Sequence, residues 1–273
     1  MRLLNVGCGD HYHPEWTNID IQPNSSDVIA HDIRKGLPFS DSTCDAVYHS
    51  HVIEHMPPEG SQHFLRECVR VLKKGGILRV ATPDLETIAR AYIRTVDMAT
   101  TRDSLVDDDY DWIMLELFDQ MVRDHPGGRM GEYLNSGKNK DFVLSRIGHE
   151  AHQYWMKRAS TPIPLWEKAR KAGFRRLYGR SRKRAALFMV GLIAGKETKH
   201  ACEVGLFRNS GEIHLWLYDR YSLKRSLTSA GLTEIRICPA DESRIPSFNS
   251  FGLDMIDGKT RKPDSIFMEG EKR

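Results

Sequence analysis

The run Leu3-Leu4-Asn5-Val6 stops at Gly7-Cys8-Gly9, and a second apolar run, Trp16 to Ile21, follows almost at once. A buried first strand ending on glycines lets the backbone come close to a ligand. A parallel partner strand needs a crossover of about a dozen residues, and the stretch from Gly7 to Trp16 is near that minimum. The usual crossover helix must therefore shrink to a turn. Asp20, at the end of the second run, can accept hydrogen bonds from both hydroxyls of a ribose. Turn and acid together read as a nucleoside site, while the turn by itself reads equally well as a tight bend. The chain goes on Asp10-His11-Tyr12-His13-Pro14, without the third glycine of a dinucleotide fingerprint. That is poor material for a helix opening on a pyrophosphate, so a nicotinamide dinucleotide gives way to a nucleoside ligand without one.

Asp27 to His31 and Asp45 to His49 read as a third and a fourth strand. Phe64, Leu65, Cys68, Val69 and Leu72 recur at helical spacing and predict an amphipathic helix over Pro58 to Lys73. Proline suits its N-terminus, and Lys73-Lys74-Gly75 should close it. Gly76 to Thr82 then reads as a fifth strand stopped by Pro83. Strands separated by crossovers argue for a parallel α/β sheet. Residues 84–216 read as polar and mainly helical. Tyr221 to Ala230 reads as a helix stopped by Gly231, and Thr233 to Cys238 and Ser265 to Glu271 as two last strands.

The first third resembles a class I S-adenosylmethionine-dependent methyltransferase. The matching pieces, in the family's order, are Asn5-Val6-Gly7-Cys8-Gly9, Asp20, Asp32 with Ile33, Leu37-Pro38-Phe39 and Cys44-Asp45-Ala46-Val47-Tyr48. They continue with His51-Val52-Ile53-Glu54-His55, and with Arg70 to Gly76 leading to Pro83. His214 to Asp219, Gly231 and Arg261 to Ser265 resemble a subset from glycan and natural-product gene clusters. The resemblance implies a Rossmann-like, mostly parallel seven-stranded sheet, built from residues 1–83 and 217–273, with a helical insert (84–216) after the fifth strand. It implies S-adenosyl-L-methionine as cofactor, with Gly7, Cys8 and Gly9 at the methionine end and Asp20 at the ribose. Asp32 would face the adenine amino group with Ile33 beside the ring, and Ser50 and His51 would lie near the transferring methyl. The acceptor it implies is a hydroxyl on a sugar, glycan precursor or natural product. The shortened first crossover departs from the family and leaves one flank of the cofactor for other segments to cover.

A hydroxyl acceptor must lose its proton, and histidine has a suitable pKa for that. The candidates are His51, His149 and His214, with His152 on the same helical face as His149. His51-Val52-Ile53-Glu54-His55 also spells a metallopeptidase pattern. That chemistry needs both histidines on one face of a continuous helix, and Met56-Pro57-Pro58 leaves little helix around His55. Some methyltransferases of quinone biosynthesis are thought to hold a divalent ion at the matching acidic positions. Here His51 replaces an acid, so no metal is expected, and His55 is expected to pack beneath the site.

Charge is unevenly spread. Residues 1–150 hold 16 Lys and Arg against 24 Asp and Glu, residues 151–273 hold 24 against 13, and the whole chain is +3. Nine of the 17 residues from Lys168 to Arg184 are basic, and Ala185 to Gly195 carries no charge. The uncharged stretch is too short to span a bilayer but could lie in its interface. Residues 168–184 suit an anionic membrane surface or a phosphorylated acceptor; interleaved aromatics are sparse, which disfavours nucleic acid. A solvated helix packed against the acidic half remains the plain alternative. A noncatalytic membrane-associated protein that keeps the fold is the alternative to an enzyme. The five cysteines (Cys8, Cys44, Cys68, Cys202, Cys238) form no C-x-x-C pair, which argues against a disulfide framework and for a reduced, cytoplasmic setting. The start lacks the apolar stretch of a signal peptide.

Overall fold

A computed structural model describes residues 1–23, 25–101, 107–159 and 174–273. Leu3–Val6 (β1), Thr17–Asp20 (β2), Val28–Ala30 (β3), Cys44–Ser50 (β4) and Leu72–Pro83 (β5) run parallel. Leu232–Ile237 (β6) and the last strand, Ser265–Lys272 (β9), complete a seven-stranded sheet. Between them Met255–Ile256 (β7) and Lys259–Thr260 (β8) form a small hairpin. The sheet order is β3-β2-β1-β4-β5-β9-β6, with β9 antiparallel to both neighbours. This is the expected doubly wound sheet. Strand order reverses between β1 and β4, and ligand crevices of such sheets open at the carboxyl ends of strands at that point. Gly7 follows β1 there, and Ser50 ends β4.

Both faces of a parallel sheet must be covered. On one face Pro58–Val71 (α1) buries Phe64, Leu65 and Cys68 against Leu4, Val6, Val47, Leu78 and Val80. Leu223 and Leu227, from a later helix at Arg220–Ser229, join the same cluster. Asp219 caps that helix, accepting from the amides of Tyr221 and Ser222 while Ser222 Oγ binds back. On the other face the first crossover is indeed a turn. Trp16, 3% exposed, packs edge-on against Tyr48, Phe248 and Phe251. The segment 239–254 thus covers the surface that a crossover helix would have covered.

One expectation is corrected. The helix ends at Val71, and Lys73, Lys74 and Gly75 belong to β5 instead of closing α1. Cys44 pairs with Leu72 and Ala46 with Ile77, so the intervening residues loop out of the ladder. Gly75 takes the positive φ (76°) that this detour needs, and Lys73 Nζ meets Asp45 at 2.8 Å.

Buried Arg79 ties β5 to the covering segment. Its guanidinium meets Asp254 (2.7 Å) and Glu269 (3.0 Å), donates to the carbonyls of Pro239, Ala240 and Glu242, and lies over the Phe248 ring. Tyr48 Oη donates to Asp254 at 2.5 Å. A buried charge is tolerated only when so fully paired.

The insert is helical, as expected. Leu85–Thr101 (α2), Asp107–Val122 (α3), Gly128–Ser136 (α4), Lys140–Ile147 (α5) and His149–Ala159 (α6) surround Trp112, Ile113, Met130, Val143, Ile147 and Ala151. Asp107, Asp108 and Asp109 occupy the first turn of α3, where acids oppose the helix dipole favourably. Phe174–Arg208 (α7) follows, and Arg220–Ser229 is α8. Residues 160–173, including Lys168, Arg170 and Lys171 of the basic segment 168–184, lie outside the described residues. Among the described residues no helix is long and apolar enough to cross a membrane.

Candidate active site

Two cavities meet at the carboxyl ends of β1 and β4. The first, about 340 Å³, is lined by Gly7, Cys8, Ser50, His51 and His149, among others. The second, about 430 Å³, is lined by polar insert residues such as Glu116, Gln120 and Arg123, and by His214 and Asp264. Both sizes fall in the range of small-molecule sites. His51, His55, Glu150 and Lys262 border both cavities and form a shared wall.

The glycine turn is built for close approach. Gly7 has φ +66°, and a Cβ there would lie 2.6 Å from Val52 Cγ2. Gly9 has φ +54°, and a Cβ there would meet nothing within 4 Å, so its backbone faces open space. Asp20 Oδ2 accepts from the Gly9 amide (2.9 Å) and Oδ1 from the Gln22 amide (2.8 Å). The acid therefore fixes the turn, and each carboxylate oxygen keeps a lone pair for a ligand hydroxyl. Cys8 is no nucleophile: burial, with Asp20 beside it, pushes its thiol up to about 12.

The insert closes the flank left by the short crossover. His149, Glu150 and Gln153 of α6 line the first cavity. The α5–α6 junction is pressed on the C-terminal loop: His149 N donates to Arg261 O, and a Cβ on Gly148 would lie 2.6 Å from Pro263 Cδ. Arg261 in turn donates to Ser50 Oγ (3.0 Å) and Leu253 O (2.8 Å).

His51 has a positive φ (56°), unusual outside glycine. Its Nδ1 lies 3.2 Å from Glu54 Oε1 and its Nε2 2.8 Å from Ser265 Oγ, so both ring nitrogens are engaged. Burial, aided by Lys262, lowers its pKa to about 4, against the pull of Glu54. Burial would raise the Glu54 carboxyl, but the surrounding His51, His55 and His214 hold it below the usual range. Thr82 Oγ1 donates to its Oε2. Residues Ile53–His55 form a single 3-10 turn, so His51 and His55 do not share the helical face a metallopeptidase requires. Ligand atoms of Glu54, His55 and His214 do lie within 4.8 Å of one another, a donor set suited to a transition metal.

His55 does more than pack beneath the site. Its Nδ1 meets Ile213 O at 3.0 Å. A carbonyl only accepts, so Nδ1 carries a proton, and in the neutral ring the lone pair is on Nε2. His214 is buried, with its pKa lowered to about 3 by that burial, and its ring packs edge-on to His55 at 4.8 Å. Lys262 Nζ binds Glu150 at 2.9 Å and holds that carboxyl at about 2. Asp264 is pushed up to about 7 by burial and by Glu116 and Glu150 nearby.

Of the sequence-predicted residues, Gly7, Cys8, Ser50, His51 and His149 line the first cavity, and His51 and His214 the second. Gly9 and Asp20, joined by a hydrogen bond, line neither cavity, although Cys8 and Asp10 on either side of Gly9 line the first. Asp32 and Ile33 border neither. Asp32 caps the short turn Ile33–Lys35 and pairs with Arg34 at 2.8 Å, which lowers its pKa to about 2, and Ile33 packs on the core. His152 is exposed and stacks on His149. Glu150, Arg261 and Lys262 were not picked out as site residues. Gln153 shares a helical face with both His149 and Glu150, and that spacing was the available signal.

Residues 4–80 match a family model described as a methyltransferase domain. A protein of Mycolicibacterium smegmatis, described as a probable S-adenosylmethionine-dependent methyltransferase, is 40% identical over 105 residues, 32% of this chain and 40% of that one. A protein of Mycobacterium tuberculosis with the same description is 35% identical over 72 residues, 26% of each chain. The chain thus spans less than half the length of these relatives. A methyltransferase structure from Thermotoga maritima aligns with all of this chain and 82% of its own, at 12% identity and a TM-score of 0.38.

Proposed function

We propose that the chain transfers a methyl group from S-adenosylmethionine to a hydroxyl of a polar acceptor, such as a sugar, glycan precursor or glycosylated natural product. The observation that carries this reading is the wall of His51, His55, Glu150 and Lys262 between two cavities, one under the glycine turn and one between the insert and the core. The methyltransferase-domain match over residues 4–80 supports the cofactor. The cradle suits it as well: an open glycine backbone at Gly9 and an acid with free lone pairs at Asp20.

When bound, S-adenosylmethionine supplies a methyl group on a sulfonium centre, open to in-line displacement. The chain's task is then mainly to orient and to exclude water. Gly7 and Cys8 bound the cavity at the end of β1, and Asp20 takes the ribose hydroxyls. Glu116, Gln120, Arg123, Glu150 and Asp264 offer donors and acceptors to a polyhydroxylated acceptor in the second cavity. His55, with Nε2 as acceptor on the shared wall, takes the hydroxyl proton. His51, held at both nitrogens by Glu54 and Ser265, fixes the wall on which His55 sits.

The test is methyl incorporation from isotopically labelled S-adenosylmethionine into a panel of sugars, glycosides and aromatic hydroxyl compounds, with product mass spectrometry. Labelled methyl ethers on a polyol acceptor are expected. Methylation confined to amines or carbon would overturn the hydroxyl assignment, and no binding of S-adenosylhomocysteine by calorimetry would overturn the cofactor.

A further inference from the structure

Helix α7 carries an apolar ridge outside the core. Gly195 breaks the helix (φ 85°, ψ 172°). The two limbs fold back on each other there: a Cβ on Gly191 would lie 3.1 Å from Lys199 Cδ. The base of the second limb is fastened to α3, where Arg208 Nη1 donates to Met121 O at 3.3 Å. Towards the tip, Phe188, Met189, Leu192 and Ile193 are 62, 51, 66 and 79% exposed. Their spacing puts them on one side of the first limb, while Leu187, Val190 and Gly191 on its other side are half-buried. Single exposed apolar residues are ordinary, but a contiguous ridge marks an interaction surface.

Charge says what kind. From Ala185 to Gly195 there is none, yet Lys183 and Arg184 precede the ridge and Lys196 and Lys199 follow it. From Arg180 to Arg208, both included, the sequence has seven Lys or Arg against two acids. Lys183, Arg184 and Lys196 are exposed. The uncharged stretch would reach about 16 Å as helix, roughly half a hydrocarbon core.

We propose that this hairpin tip docks on an anionic bilayer surface. Phe188, Met189, Leu192 and Ile193 enter the boundary between headgroups and acyl chains, and Lys183, Arg184 and Lys196 meet lipid phosphates. A second copy of the chain is the poorer occupant, because pairing the ridges would bring these cations together. A bilayer satisfies the apolar ridge and its cationic flanks at once. The inference is independent of the methyl-transfer reading, since none of the ridge residues borders either cavity.

The experiment is co-sedimentation of the full chain with vesicles of phosphatidylcholine alone or with about one-third phosphatidylglycerol. The wild type is expected to bind the anionic vesicles and to release them as salt rises. Leu192→Asp/Ile193→Asp and Lys183→Glu/Arg184→Glu should each lower partitioning at least about tenfold. Both should keep the wild-type far-ultraviolet circular dichroism and affinity for S-adenosylhomocysteine. Phe188→Trp should show blue-shifted emission on anionic vesicles, quenched by brominated lipid. A wild type that ignores anionic vesicles overturns the proposal, as does binding that survives Leu192→Asp/Ile193→Asp. Ridge-dependent dimerisation without vesicle binding also overturns it, in favour of the second copy.

Discussion

His55 Nδ1 lies 3.0 Å from the carbonyl oxygen of Ile213, 158 residues downstream, and that contact leaves the imidazole lone pair on Nε2. The far end of the insert thereby sets the tautomer of a core histidine bordering both cavities. Removing a positioned general base costs about 10²–10⁴ in rate. His55→Ala is therefore expected to lower kcat by that much while S-adenosylhomocysteine binds as in the wild type by calorimetry, and added imidazole should restore part of the rate. Full turnover in His55→Ala would remove this residue from the proton path.

Asp20 serves the backbone and the ligand together. Its oxygens hold the amides of Gly9 and Gln22, and its remaining lone pairs are the ones assigned to ribose. Hydrogen bonds to a charged group contribute about 1.5–3 kcal/mol, so Asp20→Ala should weaken S-adenosylhomocysteine by roughly ten- to a hundredfold. Unchanged affinity by calorimetry would mean that the acid only shapes the turn.

Much of the sheet was legible because local pattern and tertiary demand agree there. The buried run Leu3–Val6 has one place to go, and Gly7, Cys8, Ser50 and His51 come together because β1 and β4 are neighbours. The tautomer of His55 was not legible, because it depends on a carbonyl 158 positions away. Nor was Arg79: a charge in a strand reads as a surface residue until Asp254, Glu269 and three carbonyls are folded around it. Lys73-Lys74-Gly75 looked like a helix end because cations and glycine favour that position. The same residues equally suit an exposed detour in a strand.

Arg79, on β5, should be a highly sensitive position of the core. Replacing it leaves Asp254 buried without its cation and Glu269 with only Arg236 and Arg244, each at 3.4 Å, and breaking a buried pair by removing one partner costs about 3–5 kcal/mol. Arg79→Met is expected to lose that much in urea unfolding. Tyr48→Phe, which removes the phenol that donates to Asp254, should lose about 1–2 kcal/mol. Because Arg261 N donates to Asp254 O, both changes should also loosen the loop that carries Arg261 and Lys262 to the cavities. A loss in Arg79→Met no larger than in Tyr48→Phe would mean that Asp254 and Glu269 are satisfied without the guanidinium.

Pressing the insert on the core depends on one residue without a side chain. Gly148 has φ +54°, and a Cβ there would meet Pro263 Cδ at 2.6 Å and Arg261 O at 2.8 Å. The second of these is backbone and cannot turn aside. Gly148→Ala should therefore shift α6, with His149, Glu150 and Gln153, away from the first cavity. Weaker S-adenosylhomocysteine binding and faster proteolysis within the insert are expected, with the α1 and β1–β5 core retained by hydrogen exchange. Wild-type affinity in Gly148→Ala would show that α6 does not close the cofactor site.

His49 gives the fold an acid-sensitive centre. It is fully buried on β4 against Phe64, both ring nitrogens lack a partner, and burial lowers its pKa to about 4 despite Glu54. The unfolded chain holds a proton there below about pH 6.5, whereas the folded chain takes it up only near pH 4. Between those values the unfolded state binds more protons, so stability falls as the pH falls. The loss approaches on the order of 3 kcal/mol for this group by pH 4. His11 and His51, lowered to about 4, and His214, lowered to about 3, act in the same direction. His49→Leu removes one contribution and two unsatisfied nitrogens. It should match or exceed wild-type stability at pH 7 and lose less between pH 6.5 and 4.5, read as urea midpoints across that range. Parallel pH profiles for the two proteins would show that His49 does not titrate on unfolding.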